Sequence, residues 1–286
     1  MSAESDFTED SVLEECQKFI CEAVEKAGDI VRRGIDAVKK VEIKSNVFDL
    51  VTEYDGEVED FLVSEIQKKY TNHKIIAEEK HAKEPLTEDP TWIIDPIDGT
   101  TSFVHGYPLV GISVALAYRK QLVIGVIYAP IQRELYCARR GHGTTMNGQK
   151  IHTSSVRQLI NSLIGDEPSL ASRDHYRNDI LVRTYALCNR VSGIRAVGSA
   201  VLGLAYVARG ILDCYQVVGI YPWDLAAGAI IVEEAGGVIS HPDGSSFDIM
   251  NGSILVAANR ELYDQILAFN REMNGKVLDL REKSTN

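Results

Sequence analysis

Two aspartates three residues apart, Asp95 and Asp98, carry the clearest chemical potential in this chain. They end an apolar run at 92–94 and are followed by Gly99 and two threonines, Thr100 being the first. Carboxylates at a strand end can hold a hard cation such as Mg²⁺, which takes oxygen ligands. Backbone N–H groups and a hydroxyl directly behind them can hold a phosphate, especially where a helix begins. Metal and phosphate together indicate phosphoryl chemistry.

The same D-x-x-D-G pattern also has a plain structural explanation. Asp-Pro and Asp-Gly pairs are ordinary turn formers, and short motifs give false positives. The run at 92–94 is predicted to be a buried strand, with Pro96 and Gly99 breaking its end into a turn. The case for a metal site therefore depends on acidic residues elsewhere in the chain.

Acidic residues recur at the predicted boundaries of other elements. Glu78 and Glu79 follow a predicted strand, Asp224 lies at a predicted helix start, and Asp55 lies in the first turns of a predicted helix. Ligand sites in α/β sheets form outside strand ends, so these residues could converge. Each also has a structural alternative: a solvated pair for the glutamates, a helix N-cap for Asp224, and a favourable helix-dipole position for Asp55.

Composition narrows the class of protein. The 286 residues, 45% of them hydrophobic, are enough for one large domain or two intimate subdomains. A net charge of −11 argues against nucleic-acid binding, which favours a basic face. No apolar run approaches the ~20 residues that span a bilayer, and the acidic N-terminus is unlike a signal peptide. Five scattered cysteines are typical of a cytosolic protein whose thiols stay reduced and mostly buried. We expect a cytoplasmic protein that binds neither nucleic acid nor membranes.

The hydrophobic pattern divides the chain into two halves. In the first half it predicts helices at 11–34 and 53–70, a strand at 74–77, and an antiparallel meander with runs at 109–118, 121–128 and 134–138. A tight turn is predicted at Asn147-Gly148. From about Ile151 strands and helices alternate, which is α/β order. The strands are predicted at 161–164, 193–197, 214–218 and 253–257, and the helices at 174–187, 199–208, 223–235 and 261–270.

Four acidic blocks resemble those of the inositol monophosphatase family in order and spacing. Asp95-Pro-Ile-Asp98-Gly-Thr-Thr resembles the family's first signature, and Trp223-Asp224-Leu-Ala-Ala-Gly228 with the following Glu-Ala-Gly-Gly resembles the second. The segment 49–55 and the Glu78-Glu79 pair resemble the other two blocks. The resemblance covers residues 12–269. It implies an α+β fold, a five-layered αβαβα sandwich of the sugar-phosphatase type. An N-terminal α+β subdomain at 8–152 and a C-terminal α/β subdomain at 153–272 would pack as a single catalytic unit.

The resemblance also implies roles for individual residues. One Mg²⁺ would be held by Glu78, Asp95 and the Ile97 carbonyl, a second by Asp95, Asp98 and Asp224, and a third, weaker one near Glu78. The catalytic group would comprise Asp55, Glu78, Glu79 and Thr100, with Thr100 and Asp55 orienting the attacking water. The substrate would contact Ile97, Asp98, Gly99, Thr100, Gly198, Ser199, Ala200 and Asp224. Two metals ~3.5–4 Å apart can clamp the attacking and leaving oxygens of an in-line displacement.

The match departs from the family near the expected substrate. Gly198-Ser199-Ala200 resembles a family Gly-Thr-Ala, and serine keeps the hydroxyl. Seven residues before Asp224, inositol-selective members carry a glutamate that accepts hydrogen bonds from ring hydroxyls, which Val217 cannot do. Either inositol is held differently, for example through Gln216, or specificity is broader.

The implied function is Mg²⁺-dependent hydrolysis of inositol monophosphates to inositol and phosphate, a phosphoric monoester hydrolase reaction. One alternative is a related phosphatase of sugar phosphates or nucleotide monophosphates. Another is a catalytically inactive, ligand-binding family member, against which the complete set of carboxylates argues. The resemblance further implies a homodimer and inhibition by Li⁺. Lys44 aligns with a mobile-loop lysine of the family, although a solvated lysine explains it equally well.

Overall fold

The computed structural model describes residues 10–43 and 50–277 of the chain. Lys44 therefore lies outside the described residues. Within them the chain forms the following α-helices: α1 (Asp10–Ile35), α2 (Glu53–Lys69), α3 (Thr100–Val104), α4 (Asp174–Leu187), α5 (Ala200–Ala208), α6 (Pro222–Glu234) and α7 (Arg260–Met273). Short 3₁₀ helices lie at Leu159–Asn161, Pro168–Ser172 and Ile249–Asn251. None of the described helices is long and apolar enough to cross a membrane.

Two short antiparallel strands, β1 (Val41–Ile43) and β2 (Leu50–Thr52), precede α2. A seven-stranded sheet follows, and its strands lie side by side in chain order: β3 (Lys74–Ala77), β4 (Thr91–Asp98), β5 (Gly111–Tyr118), β6 (Gln121–Ala129), β7 (Glu134–Arg139), β8 (Gly143–Met146) and β9 (Gln149–Ile151). Only the β3–β4 pair is parallel. The predicted meander is confirmed. The turn at Asn147-Gly148 is also confirmed, with φ of 49° and 77°.

The second half of the chain forms a five-stranded sheet. Its strands are β10 (Leu163–Asp166), β11 (Gly193–Arg195), β12 (Cys214–Val218), β13 (Val238–Ser240) and β14 (Ser253–Ala257), in the spatial order β11-β10-β12-β14-β13. The first three neighbours are parallel, and β14 is antiparallel to both of its neighbours. The alternation of strand and helix is confirmed. Strand β13 was not predicted, because three residues are too few for a pattern of period two.

The sheets and helices stack in five layers. Helices α1 and α2 cover the outer face of the seven-stranded sheet, with Ile20 and Leu62 in their core. Helices α5 and α6 lie between the sheets, where Leu204 and Ile230 join the largest core. Helices α4 and α7 cover the far face of the five-stranded sheet around Leu267. The predicted αβαβα sandwich is confirmed. The two sheets fall on either side of the predicted boundary after residue 152, and the division into subdomains stays a prediction.

Helix α6 lies unusually close to the seven-stranded sheet. A Cβ atom built on Gly125 of β6 would stand 2.6 Å from the Ala227 carbonyl oxygen and 2.4 Å from a methyl carbon of Ile230. The first of these contacts is with helix backbone, which no rotamer change can move away. The middle layer is almost wholly apolar, as expected for helices that bury every face.

Gly125→Ala should therefore lower the free energy of unfolding by about 1–3 kcal/mol, because α6 must move away from the sheet. Gly56→Ala is the matched control, since nothing lies within 4 Å of its added Cβ in α2. It should raise stability by about 0.5–1 kcal/mol through helix propensity. Urea denaturation of both variants measures the difference. Equal stability of the two would contradict the close approach of α6.

Candidate active site

The end of β4 brings Asp95 and Asp98 to one face of the sheet. In a regular strand, residues three apart point to opposite faces. Asp95 pairs with Ser113 and Asp98 with Gly111, so the register shifts between them and the strand bulges at Pro96. One extra residue reverses the alternation. The expected break into a turn at Pro96 was wrong. The strand continues to Asp98 because a bulge accommodates a proline, which has no N–H to donate to the neighbouring strand.

Asp224 joins these two aspartates from the start of α6. One carboxylate oxygen from each of Asp95, Asp98 and Asp224 can be chosen so that all lie within 4.8 Å of one another. The approach is fixed by Ser113, the cross-strand neighbour of Asp95, whose hydroxyl donates to the Trp223 carbonyl at 3.1 Å. The predicted convergence of distant carboxylates is thus what the structure contains.

Backbone and hydroxyl donors hold the outer two of these carboxylates. Asp98 Oδ2 accepts from the Ser199 hydroxyl and, at 3.1 Å, from the Val201 N–H at the start of α5. Asp224 Oδ2 accepts from the Tyr221 N–H at 2.6 Å. Asp224 is the third residue of α6 and Tyr221 is the N-cap, so the N-cap alternative for Asp224 was wrong. Asp95 differs, because its Oδ1 is buried and has no hydrogen-bond partner.

Asp55 and Thr100 form a second group beside the three aspartates. Asp55 is the third residue of α2 and is 1% exposed. Its Oδ2 accepts from the Thr52 N–H at 2.8 Å and the Thr52 hydroxyl at 2.5 Å. The Thr100 hydroxyl lies 3.5 Å from Asp55 Oδ1 and 3.2 Å from the Ile97 carbonyl oxygen. The structure therefore brings together the pair that the sequence proposed for orienting water.

Glu78 and Glu79 form a turn directly after β3. Both are partly buried, so they are not a fully solvated pair. The Glu78 N–H donates to the Ile94 carbonyl of β4 at 3.3 Å, one residue before Asp95. The charge of Glu78 raises the pKa of Asp95, and it also contributes at Asp98 and Asp224. The turn thus lies at the edge of the carboxylate group.

Burial and mutual repulsion shift the pKa of every carboxyl in the centre. Burial, then the charges of neighbouring carboxylates, raises the pKa of Asp95 well above its ordinary value. Burial raises the pKa of Asp98 to about 6 against the pull of its Ser199 and Val201 bonds. The pKa of Asp224 rises to about 8 and that of Asp55 to about 7, in both cases mainly through burial.

The donor set of this site suits a hard divalent cation. The carboxylates of Asp95, Asp98 and Asp224 and the nearby Ile97 carbonyl supply oxygen atoms, which Mg²⁺ prefers. The unpartnered Asp95 Oδ1 has a clear use as a ligand, because a buried polar atom is normally satisfied. Cations would also relieve the carboxylate repulsion that adds to the effect of burial on these pKa values. The residues therefore fit the metal that the sequence implied.

A small helix and a tight turn close the site on the other side. Gly99 has φ of 90° and caps α3, a short helix that was not predicted and that begins at Thr100. A Cβ on Gly99 would stand 3.1 Å from the Gly198 carbonyl oxygen, so this turn packs against the one before α5. Ser199 is 2% exposed, and its hydroxyl also accepts from the Leu202 N–H at 3.3 Å. Gly198, Ser199 and Ala200 thus lie beside the site, with the Ser199 hydroxyl turned to Asp98.

Val217, where the chain departs from the family pattern near the expected substrate, lies in strand β12. Val217 is 2% exposed and belongs to the core between the two sheets. Gln216 belongs to the opposite face of β12, where the Asn270 side-chain amide of α7 donates to its Oε1 at 2.6 Å. The structure therefore turns Gln216 away from Val217, which excludes the suggested replacement of the missing glutamate by Gln216.

Two buried glutamates near the site were not predicted from the sequence. Glu59 is fully buried and accepts from backbone N–H groups of the turn at Glu79. Glu167, 6% exposed, accepts from the Val197 and Gly198 N–H groups before α5. Spacing gave a usable signal for Glu59, which follows Asp55 by four residues on the same helix face. Glu167 follows a strand end in a polar segment that offered no such signal.

Solved structures share this architecture. The chain matches the Thermotoga maritima IMPase at a TM-score of 0.82 and 32% identity, covering 91% of this chain and 98% of that one. It also matches two structures of SaIMPase-II, one described as inositol monophosphate bound and one as 2′AMP bound. Their TM-scores are 0.77 and 0.78 at 28% and 27% identity, with 91% of this chain and 97% and 96% of theirs covered. Fold and site together define a phosphatase, a phosphoric monoester hydrolase.

Sequence comparison defines the relationship more narrowly. The model described as "Inositol monophosphatase family" matches residues 12–274. Human inositol monophosphatase 1 is 40% identical over 257 residues, which cover 88% of this chain and 93% of the human protein. The chain belongs to the inositol monophosphatase family, as its acidic blocks suggested.

The raised pKa values predict how stability depends on pH. The folded pKa values of Asp55, Asp98 and Asp224 exceed the ordinary value of 3.8, so the folded state holds more protons than the unfolded state between about pH 4 and about pH 8. Their stabilising contribution is complete below this window and is lost as pH rises through it. Urea denaturation in EDTA should therefore show a loss of stability towards about pH 8.

Two comparisons isolate the carboxylates in this measurement. Mg²⁺ should restore more stability at about pH 8 than at about pH 5, because it binds the ionised groups. Asp98→Asn should give a shallower decline in EDTA, since one of the titrating groups is gone. A metal-free protein that grows more stable over the whole window would show that these carboxyl groups are not protonated in the fold.

Proposed function

We propose that this chain is a Mg²⁺-dependent phosphatase that hydrolyses inositol monophosphates to inositol and phosphate. The observation that carries this proposal is the convergence of Asp95, Asp98 and Asp224, with an unpartnered buried oxygen on Asp95, beside the Asp55–Thr100 pair. The identity of 40% to human inositol monophosphatase 1 supports the substrate class.

The residues around the cluster divide into two ligand sets in this proposal. Glu78, Asp95 and the Ile97 carbonyl would hold one Mg²⁺, and Asp95, Asp98 and Asp224 a second, with a third, weaker ion near Glu78. When bound, Mg²⁺ supplies positive charge that activates water and offsets charge on the phosphate oxygens. Asp95 would serve both sets, which agrees with its pKa, because burial and then the charges of Glu78, Asp98 and Asp224 raise it.

Thr100 and Asp55 would position the attacking water and receive its proton. The Thr100 hydroxyl has two acceptors for its one proton, Asp55 Oδ1 and the Ile97 carbonyl oxygen, so its lone pairs stay available to accept a hydrogen bond from the water. Because the pKa of Asp55 lies at about 7, this carboxylate can take a proton near neutral pH. Glu78 and Glu79 lie beside the pair, and their charges raise the Asp55 pKa further.

The start of α3 would receive the phosphate. N–H groups at the first turn of a helix have no partner inside it, and here they belong to the turn that follows Asp98. Gly99 in its left-handed conformation lets the backbone turn sharply there. The turn at Gly198 and Ser199 packs against Gly99, which supports a position for the alcohol beside the start of α5.

A second candidate concerns the alcohol that is released. Val217 offers no hydrogen bond to an inositol ring hydroxyl, and Gln216 is committed to Asn270. An apolar wall discriminates weakly among alcohols. SaIMPase-II, a structural relative, is described in both an inositol monophosphate-bound and a 2′AMP-bound form. Both observations favour a wider range that includes nucleotide 2′-phosphates and sugar phosphates. The family relationship also supports a homodimer in the cytoplasm.

Asp95→Asn should reduce kcat/KM for Mg²⁺-dependent phosphate release by about 100-fold or more, because the central ligand oxygen is replaced by an amide nitrogen. Phosphate release is measured across a Mg²⁺ titration, with circular dichroism to check the fold. Asp89→Asn, at an exposed position in the preceding loop, removes the same charge and should leave activity unchanged. Full activity in the Asp95 variant would overturn the site.

A panel of phosphate esters tests which alcohol the protein releases. Inositol 1-phosphate, 2′-AMP, a hexose phosphate and glycerol 2-phosphate are compared at saturating Mg²⁺, with and without Li⁺. We expect the highest kcat/KM for inositol 1-phosphate, measurable turnover of 2′-AMP because of Val217, and inhibition by Li⁺. Inositol 1-phosphate turned over no better than glycerol 2-phosphate would refute the inositol assignment and leave the second candidate.

A further inference from the structure

The turn after β3 is held from one side by a fully buried carboxylate. Glu59 of α2 has no exposed surface, and its two oxygens divide between consecutive backbone groups. Oε2 accepts from the Glu79 N–H at 2.7 Å, and Oε1 accepts from the Lys80 N–H at 2.9 Å. Bonds from N–H groups to an ionised carboxylate are among the stronger hydrogen bonds in proteins. Glu59 therefore fixes the path of the chain immediately after Glu78.

The position of β3 explains why this turn depends on such a bond. β3 is the edge strand of its sheet, so only β4 pairs with it. The Glu78 N–H reaches back to β4 through Ile94. Among the described residues no strand pairs with the other side of β3 to supply acceptors for the next two N–H groups. Glu59 of α2 supplies both acceptors.

The side chain of Lys80 does not neutralise Glu59. Its ammonium group pairs with Asp60, the next residue of α2, on the exposed side of the helix. Burial raises the pKa of Glu59, and the two backbone bonds oppose that rise. A buried carboxylate in an acidic neighbourhood is unfavourable unless its bonds are made. Its two N–H bonds connect it to the turn that carries Glu78, which indicates a role in the geometry of that turn.

Resting on the phosphatase function proposed above, we propose that Glu59 is a positioning residue that orients Glu78 for Mg²⁺ by clamping the backbone of the turn that follows it. One helix then serves the site twice. Asp55 faces Thr100, and Glu59, one turn later, holds the segment that carries Glu78. Residues that orient metal ligands without touching the ion commonly change affinity by about 10–100-fold when replaced.

Glu59→Gln tests the clamp, because one of the two oxygens becomes an NH₂ group that faces a backbone N–H. Asp60→Asn is the matched control, since it removes a charge from the neighbouring residue, which pairs with the Lys80 side chain on the exposed side of the helix. Mg²⁺ binding is measured by calorimetry and by the Mg²⁺-induced rise in melting temperature, neither of which needs turnover. Activity across a Mg²⁺ titration is measured in parallel.

We expect the Mg²⁺ half-saturation constant to rise by about tenfold or more in Glu59→Gln and to stay unchanged in Asp60→Asn. The kcat of Glu59→Gln at saturating Mg²⁺ should remain close to that of the unmodified protein. If Glu59→Gln does not fold, Glu59→Asp decides, because it keeps the charge but shortens the reach and should still weaken Mg²⁺ binding.

Two results would overturn the clamp. One is a folded Glu59→Gln protein with unchanged Mg²⁺ binding, and the other is a loss of kcat with unchanged Mg²⁺ affinity. Failure of the phosphatase function itself looks different. In that case the unmodified protein shows no Mg²⁺-dependent phosphate release on any phosphate ester.

Discussion

Repulsion among buried carboxylates is the constraint on which the rest of this structure depends. Asp95, Asp98 and Asp224 come within a few ångströms of one another, and Glu78 adds its charge. Hydrogen-bond donors from the chain partly offset this repulsion. Asp98 receives a hydroxyl and an N–H from α5, and Asp224 receives an N–H from its own helix cap. Asp95 keeps one buried oxygen, Oδ1, that accepts no hydrogen bond within the described residues. The buried carboxylate oxygen of this group that lacks a hydrogen-bond donor is therefore the one on Asp95.

The donors come mainly from helix starts, where backbone N–H groups are available by geometry. Asp55 and Asp224 occupy the same third position of their helices and make the same bond back to the cap residue. Both helices thus begin with a carboxylate that serves the helix with one oxygen and faces the site with the other. A single local arrangement is used twice, on opposite sides of the seven-stranded sheet.

Much of this could be predicted from the sequence, for physical reasons that differ by element. Helices α1 and α2 have apolar residues at helical spacing, and the strands from β5 to β7 are separated by clear turns, so their places were confirmed. The acidic blocks gave the family and the aspartates that converge. The bulge at Pro96 was not predicted, because proline reads as a turn in sequence and its tolerance in a strand depends on the neighbouring strand β5. The direction of Gln216 required the register of β12, and the role of Glu59 required knowledge of which strand lies at the sheet edge. These are tertiary facts that no local pattern contains.

The place of α6 between the two sheets has a consequence for biosynthesis. Asp95 and Asp98 leave the ribosome long before Asp224, which lies in a helix that packs against the seven-stranded sheet and also contacts β13 and β14. A nascent chain that has completed only the first sheet exposes an unfinished group of carboxylates to the solvent. The full ligand group forms only when α6 has packed into the middle layer. A cation held by all three aspartates would therefore bind only after the two halves of the chain have packed together.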